Sequence, residues 1–191
     1  MDHGARLASP RPMMTNIIYA IMFMLTMAVQ TGAIASLPEP LRFFPLALVI
    51  GVIVLHERSL SLGAAWIVIA GVILEARGLS DGAAIASLVA AVVAVVLAVL
   101  VFAKRSFWAL LGVGGGTAIA YVVARLGWLT LGLVFTRQSL HLGQIAEQSV
   151  TIVLMALLGM VVFGAYIRRF LRWSRDKFVS KGQLYDVSFP Q

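Results

Sequence analysis

The chain has 191 residues, of which 61% are hydrophobic and 12% charged, with no cysteine and a formal net charge of +7. This composition excludes an ordinary soluble domain, and the lack of cysteine excludes disulfides, thiolate metal sites and cysteine nucleophiles together. The positive charge does not point to nucleic acid, because it collects around the apolar runs and after the last of them, where membrane proteins carry their cytoplasmic basic residues.

From Thr15 to Arg168 the apolar stretches are continuous rather than alternating, which predicts membrane helices and excludes a lipid-facing β-barrel. A polar leader, 1–16, carries Arg6 and Arg11 and precedes a first span from about Ile17 to Ala35. The second span runs from about Phe43 to Leu55 and the third from about Leu60 to Leu74, divided by His56-Glu57-Arg58. Both are shorter than the roughly 20 residues a bilayer core requires, so they either thin the bilayer locally or fold as a tight hairpin. A fourth span, Ala83 to Ala103, stops at Lys104-Arg105; a fifth is apolar from Phe107 to Thr136 apart from Arg125; a sixth, Val150 to Ile167, runs into Arg168-Arg169. The expected fold is an all-α polytopic integral membrane protein: about six helices in one compact bundle over 17–167, then a basic tail over 168–191.

Alternation of six spans places Arg6, Arg11, Arg58, Lys104, Arg105, Arg168, Arg169, Arg172, Arg175, Lys177 and Lys181 on one side and Arg42, Arg77, Arg125 and Arg137 on the other. Eleven basic residues against four orient both termini to the cytoplasm. A rival reading takes Ala33-Ile34-Ala35 as the cleavage site of a secretory signal, which would leave five spans and a cytoplasmic C-terminus.

Ala86, Ala90, Ala94 and Ala98 form a small-residue stripe at helical spacing on the fourth span, suited to close packing inside the bundle or against a partner helix. Gly112 and Gly116 make a GxxxG pair in the fifth span, and the Lys-Ser or Lys-Thr that a phosphate loop needs is missing, since Thr117-Ala118 follows. Arg125 lies about one helix length after Phe107. It is read as an interfacial charge, with Leu126 to Thr136 an interfacial or re-entrant segment; were the helix to continue, Arg125 would be an intramembrane functional candidate. Glu75 and Arg77 close the third span as a further interfacial pair. The tail interleaves Ile167, Phe170, Leu171 and Trp173 with Arg168, Arg169, Arg172 and Arg175, a pattern for a helix along the inner leaflet with arginines on lipid headgroups. His56 and His141 fall on opposite sides, and His141 and Glu147 do not share a helix face. No catalytic residue, cofactor or metal site is therefore expected.

Between Phe43 and Tyr121 the order of features resembles the MreD family, small membrane proteins of the bacterial rod-shape machinery. The matching residues are Pro45 opening the second span, Gly63, Gly71-Val72-Ile73-Leu74-Glu75, Gly78, Asp81-Gly82 and Lys104-Arg105-Ser106. The family's third span typically closes on Asp, where this chain has Glu75. The resemblance implies a non-enzymatic scaffold in the cytoplasmic (inner) membrane that binds a bitopic MreC-type partner and links it to the synthases of peptidoglycan. It also implies a bundle similar to the substrate-binding S-components of energy-coupling-factor transporters, so small-molecule uptake is the alternative. Against that alternative, Ala20 is followed four residues later by Met24 where those proteins commonly repeat Ala, and Gln30, Thr31 and Gln144 are the few evident polar pocket residues.

Overall fold

The computed structural model describes residues 11–57, 59–101, 106–136 and 142–183, and every regular element among them is helical. Helix α1 (Arg11–Ala28) widens into a π-helical turn at Val29–Ile34, and a single 3-10 turn at Leu41–Phe43 leads into α2 (Leu46–Glu57). Then follow α3 (Leu60–Ala76), α4 (Ala83–Val96) with its own π-helical end at Leu97–Val101, α5 (Phe107–Thr136) and α6 (Leu142–Gln183).

The centre of the bundle is α2. Its run Leu-Ala-Leu-Val-Ile-Gly-Val-Ile-Val-Leu is apolar on every side, and all residues from Leu46 to His56 are buried, as expected of a helix with no face that prefers water. At 12 residues it is about 18 Å long, too short for a hydrocarbon core of about 30 Å. α2 and α3 are joined by a tight turn at Ser59, whose Oγ accepts from the Leu62 amide at 3.5 Å and starts α3.

Close approach of backbones holds α2, α3 and α4 together. A Cβ on Gly63 would meet the backbone of Leu55 in α2, and one on Gly71 would meet the Ser87 side chain and lie 2.6 Å from the Ala83 carbonyl of α4. Leu48, Val49, Val52 and Ile53 of α2 pack with Ile67 of α3, the alanines of α4, Leu110 and Val113 of α5 and Met160 of α6 in one core. The first helix attaches more lightly: Tyr19 and Ile34 join Ile50, Val54 and Trp66, and Phe23 meets Trp66 edge-on with ring centroids 5.0 Å apart.

Four segments are long and apolar enough to cross a membrane: Ile17–Ile34, Ala83–Leu100, Phe107–Gly132 and Glu147–Ile167, with α3 a shorter apolar helix. The described residues therefore form six α-helices, and four segments reach spanning length, rather than six equivalent spans. Two boundaries also differ from expectation. Helix α5 runs unbroken through Arg125 to Thr136, so Leu126–Thr136 is not a separate re-entrant piece. Helix α6 begins eight residues before Val150 and continues past Ile167 to Gln183, because nothing from Arg168 to Lys181 breaks a helix: that stretch has neither proline nor glycine.

Candidate functional site

A cleft of about 320 Å³ opens at one end of the bundle. Gln30 and Ala35 border it from the end of the first helical segment, and Arg42, Phe43 and Pro45 from the approach to α2. Leu74, Gly78, Leu79 and Ser80 come from the end of α3 and the turn after it, Tyr121 and Arg125 from α5, and Gln148 and Ile152 from α6. The segment after the first helix, the approach to α2, the end of α3, the middle of α5 and the early part of α6 thus meet at one level of the bundle, as consecutive antiparallel helices allow.

Each polar group here has a traceable position. The π-helical turn brings Gln30 to the start of α2, where its Oε1 accepts from the Ala47 amide at 3.3 Å and its Nε2 donates to the Phe44 carbonyl at 3.1 Å. Gln30 is thereby spent on one of the unpaired amides of a helix start and fixes the entry to α2. Glu75 does the same for α4: its Oε2 accepts from the Ala84 amide at 2.7 Å, a charge-assisted contact at the positive end of the helix. Arg77 turns the other way and donates from Nη1 to the Thr31 hydroxyl at 3.3 Å, while that hydroxyl donates to the Met27 carbonyl at 2.8 Å. The expected Glu75–Arg77 pair is thus replaced by two separate contacts, each knitting the end of α3 to a neighbouring element.

The cationic groups of the cleft differ sharply. Arg42 is exposed, lies 3.3 Å from the Glu39 carboxylate and rests 5.1 Å from the Phe43 ring centre. Arg125 is largely covered by α5 and α6, and its Nε is buried with no hydrogen-bond partner among the described residues. Tyr121, 8% exposed, lies one turn before it and faces Ser80. Among the described residues the cleft lining contains two arginines and no carboxylate, so it favours negative charge. Among the described residues no three His, Cys, Asp or Glu converge as metal ligands would.

The other sequence candidates sit away from the cleft. Ala86, Ala90 and Ala94 are fully buried between α3 and α5, with Ala98 partly buried in the π-helical end of α4. The glycine run serves two neighbours instead of one crossing: a Cβ on Gly114 would meet Met160 of α6, and one on Gly116 would meet Leu97 beyond α4. Gly112 is half-buried on the same helix. Arg169 is exposed on α6, whereas the side chains of Arg168, Arg172 and Arg175, and those of Gln144 and His141, lie outside the described residues. Sequence reasoning passed over Tyr121, Ser80 and Gln148. The available signal was Tyr121 and Arg125 one turn apart in an otherwise apolar helix.

The chain matches no protein-family model, no curated protein and no solved structure. The site's reading therefore rests on its geometry and on the residues themselves.

Proposed function

We propose that this chain is an integral membrane protein with both termini on the basic-rich, cytoplasmic side of a bacterial inner membrane. In this reading it is a non-enzymatic assembly subunit of MreD type, holding a bitopic MreC-like partner near wall synthases. The observation that supports it is that residues carrying the resemblance also build one unit of the fold. Gly63 and Gly71 permit the α2–α3–α4 contacts, Glu75 holds the start of α4, and Gly78 and Gly82 take left-handed backbone angles (φ 65° and 70°) in the turn between α3 and α4. The basic helix beyond Ile167 suits such an assembly. It continues α6 without a break, so its 16 residues extend the helix by about 24 Å and present a cytoplasmic arm to a partner or to lipid.

The cleft favours a second reading, a substrate-binding subunit of a small-molecule uptake system. In the orientation given by the basic residues it opens on the outer side, where such a subunit collects its ligand. Ala20 and Met24, the latter 68% exposed, do not supply the repeated small residues that a coupling contact on the first helix would use, which keeps this reading second.

Gentle affinity purification of the tagged full-length chain in neutral detergent, with mass spectrometry of what stays bound, separates the two. The scaffold reading expects a stoichiometric bitopic coiled-coil protein, with or without wall synthases. Recovery of a transmembrane coupling subunit with ATPases would replace it by solute uptake, and recovery of neither would count against both.

A further inference from the structure

We infer that the cleft around Arg125 binds a phosphate-bearing amphiphile, the chemistry shared by an anionic phospholipid headgroup and a free organic phosphate. The inference does not depend on either functional reading above.

Three independent features of the cleft carry it. The first is Arg125, whose buried Nε finds no protein acceptor among the described residues. A guanidinium N–H withdrawn from water without an acceptor is costly, and its planar fork matches the oxygens of a phosphate. The second is the balance of charge: Arg42 and Arg125 line the cleft and, among the described residues, no acidic side chain does; Glu39 pairs with Arg42, which leaves Arg125 as the cleft's cation with no carboxylate partner among the described residues, and Glu75 is engaged on the start of α4. Ser80, Tyr121 and Gln148 add uncharged donors around the same space. The third is shape. The rest of the lining is apolar, with Phe43, Leu74, Leu79 and Ile152. A polar head on Arg125 with an apolar portion against these side chains satisfies both halves of the lining, and a space of about 320 Å³ lies within the range of small-ligand sites.

The test uses purified full-length protein in neutral detergent, with native mass spectrometry reading retained lipid. Phosphatidylglycerol and phosphatidylcholine of identical acyl chains are compared, and glycerol 3-phosphate is added as the free competitor. Wild type, Arg125→Gln and Leu79→Trp are measured side by side. Leu79 is 45% exposed, so the tryptophan obstructs the cleft without disturbing buried packing. The basic tail is common to all three proteins and contributes the same background.

The expected result is one phosphatidylglycerol held by wild type in preference to phosphatidylcholine, with affinity reduced about tenfold in each variant. Displacement by glycerol 3-phosphate assigns recognition to the phosphate head alone, and retention against it assigns the site to intact lipid. Equal retention by wild type and both variants overturns the inference, as does equal retention of the two lipids by wild type. Should Arg125→Gln fail to fold, unchanged retention by Leu79→Trp overturns it alone.

Discussion

At the scale of single residues, the polar groups at the cleft end are mostly joints. Glu75 lies at the end of one helix and satisfies the amide at the start of the next, so replacing it removes an acceptor from a helix start rather than a surface charge. Glu75→Ala is expected to cost about 1 kcal/mol, the ordinary value of a lost helix cap, read as a lower Tm in detergent; an unchanged Tm would mean that water serves Ala84 equally well. Gly71 and Gly127 provide a sharper contrast. A methyl on Gly71 would enter the space of Ser87, whereas nothing lies within 4 Å of one on Gly127. Gly71→Ala is expected to destabilise by about 1–3 kcal/mol, and Gly127→Ala to stabilise by about 0.5–1 kcal/mol. Thermal unfolding of the two variants in parallel checks the prediction, and equal behaviour would mean that α3 and α4 do not approach as closely as described.

At the scale of elements, α4 shows how one helix divides its labour. Ala86, Ala90 and Ala94 are fully buried against the rest of the chain, while Val92 on the other face is 58% exposed. Ala90→Leu should therefore destabilise the isolated protein by about 1–3 kcal/mol through overpacking, with Val92→Leu near neutral, as seen in Tm. A loss of partner in co-purification with Tm unchanged in Ala90→Leu would return the stripe to a partner-facing role. The short α2 has the opposite character. It is buried all round, so it has no face to give to lipid or partner, and its neighbours α1, α3, α4, α5 and α6 isolate it.

At the scale of the whole molecule, the cleft forms where the segment between α1 and α2, the end of α3 with the turn after it, the middle of α5 and the early part of α6 meet, and the long continuation of α6 lies far along that helix from it. The proposed orientation expects a reporter fused after Gln191 to read as cytoplasmic. A periplasmic reading would reverse the assignment of the cleft to the outer side and remove the topology on which the functional proposals depend.

The sequence by itself determined the helical class, the approximate position of each apolar segment and the turn residues between α3 and α4, because these follow from local composition and from glycine's backbone freedom. The stripe at Ala86, Ala90 and Ala94 was legible as a packing face, since helical spacing alone places those residues together. Only the tertiary structure decided which neighbour each face meets. Continuous apolar runs carry no sided pattern, so nothing in Leu46–Leu55 announces a central helix. The cleft was hidden for a related reason: Gln30, Ser80, Tyr121, Arg125 and Gln148 come from four separate segments, and although Gln30 and Arg125 stood out singly, nothing local joined them to the others. Their meeting is a property of how the helices pack, and a single chain read locally contains no term for it.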